Sequence, residues 1–121
     1  MSYDDSNVFA KILRGEIPCK KVHEDAHTLA FEDISPQAPV HTLVIPKGKY
    51  VSMTDFAAKA ADAEMAALTR AILKVVEIKG LSESGYRLIV NNGHGGGQVV
   101  PHLHFHVLGG RSLGTGLLGG H

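Results

Sequence analysis

The apolar positions of the chain follow two rhythms. Val8, Phe9, Ile12 and Leu13 recur at helical spacing, with Ser6 or Asn7 able to cap the start and Gly15 to stop it. The preceding residues 1–6 are polar and read as frayed. A longer helix is predicted over about Thr54–Lys79. Met65, Leu68, Ile72, Val75 and Val76 mark one of its faces, alanines raise its propensity, and Gly80 stands where a left-handed closing residue is expected. Elsewhere the rhythm is two. Lys20–Glu24 and Thr28–Asp33 read as strands around the turn Asp25-Ala26-His27. In the second, Leu29, Phe31 and Asp33 share one face, and Ala30, Glu32 and Ile34 the other. Thr42–Ile45 is a short apolar strand closed by Pro46. Tyr86–Asn91 and His102–Leu108 are the last two strands, joined through a glycine loop, Asn92–Gly97. Two prolines keep Ser35–Pro39 irregular. The order α-β-β-β-α-β-β puts hairpins beside one long and one short helix. This predicts an α+β fold with an antiparallel sheet of about five strands.

Composition narrows the function classes. At 121 residues the chain is one domain's worth, and its 44% hydrophobic and 20% charged residues suit a packed globule. Twelve Lys and Arg balance twelve Asp and Glu, with no basic cluster, so nucleic acid is not an expected partner. No apolar run approaches the roughly 20 residues of a membrane span, and no signal-peptide pattern opens the chain. Cys19 is alone, so no internal disulfide forms, and a reducing, cytoplasmic compartment is expected. With no cationic cluster nearby, Cys19 reads as an inert thiol.

Histidine changes the picture. Of eight, His94, His102, His104 and His106 fall in one glycine-rich stretch, while His23, His27 and His121 read as surface residues. On a strand, His102, His104 and His106 project from one face, and Leu103, Phe105 and Val107 from the other, toward a core under the helix. Three imidazoles together without use would cost solvation or charge repulsion. They can hold a metal ion, or one can act as nucleophile with the others in support. The loop Asn91–Gln98 favours the second reading, since backbone without Cβ atoms can approach phosphate oxygens closely. With no Gly-Lys-Ser/Thr and no helix after it, it is not a P-loop. No carboxylate stands near the histidines in sequence, which places a metal-dependent hydrolase last. No metal and no cofactor are expected.

The stretch His102-Leu103-His104-Phe105-His106-Val107-Leu108, with Gly96-Gly97-Gln98 before it, matches the histidine triad (HIT) signature at every position. Phe31 to Lys47, with Asp33-Ile34-Ser35-Pro36-Gln37-Ala38-Pro39 at its centre, resembles the Hint branch, the histidine triad nucleotide-binding proteins. The resemblance runs from about Val8 to Arg111. It implies a single HIT domain over residues 1–121, with a flexible N-terminus and tail around that core, and a homodimer.

It also implies roles. His104 would attack the α-phosphorus and form a nucleotidyl-histidine, which water would cleave to a nucleoside monophosphate. His106 and the backbone of Gly97, Gln98 and Val99 would hold the phosphate. The carbonyl of His102 would fix the tautomer of His104, with His41 behind the triad. Asp33 would bind the ribose hydroxyls, Phe31 and Ile34 would line the base pocket, and Asn91 would orient phosphate or ribose. The implied activity is hydrolysis of purine nucleoside phosphoramidates, of the adenosine 5′-monophosphoramidase type. The alternatives are a dinucleoside polyphosphate hydrolase and a nucleotide-binding interaction protein with weak catalysis. Three features depart from the resemblance. Val99 stands where this branch often carries Ser, whose hydroxyl assists the leaving group or phosphate. No cysteine near Asn7–Ala10 offers the zinc ligands of some relatives, and the tail Ser112–His121 lacks the branch's aromatic and proline ending.

Overall fold

The computed structural model describes residues 2–118. Helix α1 (Val8–Leu13) opens under Asn7, whose side chain accepts from the Ala10 amide, so the cap is Asn7 rather than Ser6. The strands are β1 (Lys21–Glu24), β2 (Thr28–Glu32), β3 (Val40–Pro46), β4 (Arg87–Val90) and β5 (Phe105–Gly109). They form one sheet in the order β1-β2-β3-β5-β4, antiparallel throughout. Every strand is found, and the ends shift. β3 begins at Val40 rather than Thr42 and so takes in His41, while β5 begins at Phe105 rather than His102.

The long helix is a correction. It is two helices, α2 (Met53–Lys59) and α3 (Asp62–Ile78), making three α-helices among the described residues. Ala60 and Ala61 between them are extended, with ψ of 148° and 154°. Phe56 is buried edge-on to Tyr50, while the Glu64 carboxylate accepts from both the Ala61 amide and the Tyr50 hydroxyl. These tertiary anchors start a new helix at Asp62, and alanine resists nothing there. Gly80 closes α3 at φ +68°, as its position predicts.

The sheet is covered on both faces. α3 lies on one, where Leu68, Val75 and Val76 pack against Ala30, Val44, Leu103, Phe105 and Val107. The predicted stripe on α3 is therefore core. α1 lies on the other, with Phe9 among Leu29, Phe31, Leu43 and Ile45. Among the described residues, no helix is long and apolar enough to cross a membrane.

Candidate active site

The histidines stand on the α1 face. Alternation holds through His102–His106 although the regular ladder covers only its end. Leu103 points to the α3 core, and the Phe9 ring lies edge-on to His104 at 4.9 Å and to His102 at 6.3 Å. His104 and His106 ring centres are 5.0 Å apart.

Hydrogen bonds assign each ring its proton, because a carbonyl can only accept and a backbone amide can only donate. His102 Nε2–H donates to the Pro46 carbonyl at 2.8 Å, leaving Nδ1 to accept from the Tyr3 hydroxyl at 2.7 Å. His104 Nδ1–H donates to the His102 carbonyl at 2.8 Å, which leaves Nε2 bare. The Gln37 amide donates to His41 Nδ1 at 3.1 Å, so His41 Nε2–H donates to His106 Nδ1 at 2.9 Å. The remaining proton of His106 is therefore on Nε2. The Gln37 amide and the His41–His106 bond require these two rings to be neutral.

Burial favours the neutral form of His102, His104 and His106. It pushes His102 down to about 4, against the Pro46 carbonyl and with help from His104. Burial likewise lowers His104, opposed by the His102 carbonyl and the charge of Asp33. His106 falls to about 4 through burial first, then the neighbouring His104 and His41, with Asp33 opposing.

Asp33 lies just past β2, its amide bonded to the His41 carbonyl at 3.0 Å. One carboxylate oxygen accepts from the Ser35 amide, and the other is 3.4 Å from His41 Nε2. A carboxylate therefore does stand in the histidine cluster, contrary to its distance in sequence. Ligand atoms of Asp33, His41 and His106 all lie within 4.8 Å of one another. An ion held there would have to break the His41–His106 hydrogen bond.

The glycine loop corrects two expectations. It folds as a one-turn 3₁₀ helix, His94–Gly96, in which the Gly96 and Gln98 amides donate to the Gly93 carbonyl and Gly97 to that of His94. Those donors are thus unavailable to a ligand. Gly93 and Gly97 sit at φ +73° and +81°, which glycine alone adopts readily. The Gln98 side chain turns inward. Its amide group donates to the Val51 and Val100 carbonyls and its oxygen accepts from the Gly93 amide. Gln98 shapes the loop, and the amide of Val99 is left with no partner among the described residues. The Val99 side chain is 90% exposed at the rim.

The expected base pocket is also divided. Ile34, 98% exposed, borders a cavity of about 610 Å³ with Asp33, His41, Pro18 and Cys19. Phe31 is not on its wall; it is 3% exposed and packs edge-on against Phe9. Burial raises the Cys19 thiol, in keeping with an unreactive group. Asn91 borders a second cavity, beside His41 and His106.

Sequence reasoning missed three contributors. Tyr3, read as part of a frayed end, bonds His102. Phe9, read as a helix core residue, packs on His104. The carbonyl of Pro46 anchors His102. Only Phe9 left a signal, as an aromatic on the buried face of α1. His27 is exposed and His23 is half-buried beside Asp25 at 3.1 Å, while His121 lies outside the described residues.

Comparison with known proteins agrees with this geometry. A HIT domain model matches residues 14–113. A HIT-like protein of Azospirillum brasilense, described as uncharacterised, is 60% identical over 113 residues and 93% of each chain. The purine nucleoside phosphoramidase of Escherichia coli K12 is 46% identical over 91% of this chain and 92% of that one. A HIT family hydrolase structure from Clostridium thermocellum superposes with a TM-score of 0.86 at 39% identity, over 94% of this chain and 98% of the other. Because the match takes in every strand of the sheet and the histidine run that leads into the last one, this chain belongs to the histidine triad (HIT) family.

Proposed function

We propose that the protein is a hydrolase of purine nucleoside phosphoramidates, acting through a covalent nucleotidyl-His104. The observation that carries this reading is the proton placement on His104. Its Nδ1–H is held by the His102 carbonyl, so the lone pair of Nε2 is free. In the first step Nε2 bonds the α-phosphorus and the P–N bond breaks. The amine leaves with a proton from solvent. The positive charge gained by the imidazole is stabilised by the His102 carbonyl and the nearby Asp33 carboxylate. Water then bonds the phosphorus, the P–Nε2 bond breaks, and the nucleoside monophosphate departs. Overall, one water supplies hydrogen to the amine and hydroxyl to the phosphorus.

In this reading, His106 Nε2–H and the free Val99 amide hold the phosphate oxygens, and His41 fixes the proton of His106. Asp33 accepts from the ribose hydroxyls, and Ile34 stands at the base. Asn91 orients phosphate or ribose. The 46% identity to a purine nucleoside phosphoramidase supports the substrate class.

We also read the protein as a symmetric homodimer. Tyr86 and Leu88 on the edge strand region and Leu73 and Ile78 on α3 are exposed apolar residues that need cover. Sedimentation at micromolar concentration checks this, and a monomer would refute it.

The central test is incubation with adenosine phosphoramidate beside diadenosine polyphosphates, with and without EDTA, followed by rapid quench and intact-mass analysis. A nucleotidyl adduct that survives EDTA is the expected result. Activity lost to EDTA would replace the covalent mechanism with a metal-dependent one.

A further inference from the structure

The segment ahead of α1 is tied to the histidine run. Tyr3 is half-buried, and its hydroxyl lies 2.7 Å from His102 Nδ1, with the two rings edge-on and their centres 5.5 Å apart. His102 is fully buried and its Nε2–H is committed to the Pro46 carbonyl, so Tyr3 is the donor and Nδ1 the acceptor. The backbone between Tyr3 and α1 is held in its turn. The Asn7 amide and side chain both donate to the Asp4 carbonyl, and Arg14 donates to the Asp5 carbonyl at 2.9 Å. Lys49 pairs with the Asp5 carboxylate at 2.8 Å. The phenol therefore reaches His102 from an anchored strap.

The start of the sheet gives that contact its weight. The ladder of β5 begins at Phe105, so it does not hold the peptide that joins His102 to Leu103. That peptide carries the carbonyl that takes the His104 Nδ1–H at 2.8 Å and leaves Nε2 bare. Its own N–H bonds the Tyr50 carbonyl at 2.8 Å. Its other anchor is the His102 ring, clamped between Pro46 and Tyr3. Without the phenol hydroxyl, His102 Nδ1 becomes an unpaired acceptor closed off from water, which is a costly state. The ring relieves it by turning over or by exchanging tautomer, and either change takes the proton away from the Pro46 carbonyl. The peptide then loses one of its two anchors. A displaced carbonyl no longer commits the His104 proton to Nδ1.

We propose that Tyr3 is a positioning residue for His104: acting through the His102 ring and carbonyl, its hydroxyl keeps the His104 proton on Nδ1 and the lone pair on Nε2. The kinetic consequence rests on the phosphoramidase reading above. Tyr3 acts through His102 and forms or breaks no bond in the reaction. It precedes residues 14–113, the span of the HIT domain match, so this chain draws on a segment outside that span to ready its nucleophile.

Tyr3→Phe tests this, because it removes the hydroxyl and keeps the ring edge-on to His102. With adenosine phosphoramidate, kcat should fall about 3- to 30-fold while KM stays within about twofold, since a misaimed nucleophile costs rate and leaves substrate contacts alone. Tyr3→Ala, which loses the ring as well, should lose at least as much. Both are measured on the full chain, at a temperature where circular dichroism shows the variant folded. The second readout is long-range proton–nitrogen NMR of the chain carrying isotopically labelled histidine. In the wild type, His104 should show a single neutral form with its proton on Nδ1. In Tyr3→Phe it should show a mixture, with part of the proton on Nε2, a change that a purely structural role would not produce. An unaltered kcat overturns the proposal, even where the thermal midpoint falls. So does a lower kcat with the His104 proton still wholly on Nδ1. A raised KM at unchanged kcat would assign Tyr3 to binding and overturn it as well. Failure of the phosphoramidase reading looks different: the wild type would then form no adduct, and the NMR comparison would still decide whether Tyr3 sets the His104 proton.

Discussion

The extended run from His102 through β5 serves two faces of one sheet, and the two differ in how they are held. Toward α3, Phe105 and Val107 meet Ala30, Val44, Leu68 and Val75 with no polar atom among their side chains. Toward α1, His104 is 8% exposed and His102 fully buried, yet each has a hydrogen-bond partner on its ring nitrogens except the one left bare on His104. The α3 face is stabilised by removal of apolar area from water and tolerates any partner of the right shape. The α1 face has its own apolar cluster around Phe9, but the imidazoles buried beside it are tolerated only if every donor finds its acceptor, since an unpaired buried polar group costs about 1–3 kcal/mol. The consequence is that the α3 face contributes stability alone, while the α1 face also sets protonation. Burial that would be routine for valine holds His102 and His106 near a pKa of about 4.

The sharpest break in that comparison comes from one substitution on each face. His104→Ala should reduce turnover of adenosine phosphoramidate by roughly 10⁴-fold or more, since no other group can form the covalent bond. Its thermal midpoint should fall, because the His102 carbonyl loses its donor and Phe9 its neighbour, while nucleotide binding should persist through Asp33 and the loop. Steady-state kinetics beside calorimetry decide this, and full activity would end the mechanism. Leu68→Ala, opposite, leaves a cavity under α3 and should cost about 2–5 kcal/mol of stability. The folded fraction of that variant should keep kcat within about twofold.

Acid separates the faces next. Unfolded, His102 protonates near its ordinary 6.5; folded, it does so only near 4. Between these values the unfolded chain binds more protons, so stability falls as pH drops from about 6.5 toward 4. His102 alone contributes about 3 kcal/mol to that fall, by the size of its displacement. The thermal midpoint of Leu68→Ala should run parallel to the wild type through this range, because its lesion is apolar. A wild-type midpoint flat from pH 7 to 4.5 would contradict the neutral assignment of the rings.

The smallest expected effect sharpens the polar face. Val99→Ser places a hydroxyl at the exposed rim beside the free amide. If it donates to the leaving group, it contributes about 1.5–3 kcal/mol, or one to two decades in kcat for a poor amine leaving group. A substrate whose leaving group needs no proton should gain little. Equal responses of the two substrates would show that the amide already supplies the needed contact.

The sequence by itself determined which residues share a face. Alternation of two along Thr28–Asp33 and His102–Leu108 sorts Phe31 from Ala30 and His104 from Phe105, because strand geometry is local. A cap at Ser6 or Asn7 and the Gly80 stop were legible for the same reason, as was the triad motif itself. Tertiary structure decided what each face meets. Tyr3 reaches His102 from 99 residues away, His41 meets His106 from 65, and Pro46 meets His102 from 56. Such pairs are fixed by how strands and loops pack, and no local period encodes them. The break at Ala60–Ala61 belongs here too: helix propensity runs unbroken through both alanines, and only the anchoring of Phe56 and Glu64 to Tyr50 interrupts it. So does the inward turn of Gln98, whose three bonds depend on where Val51, Gly93 and Val100 come to lie. Periodicity put the imidazoles on one surface; which nitrogen of each is bare depends on partners that only the folded chain brings within 3 Å.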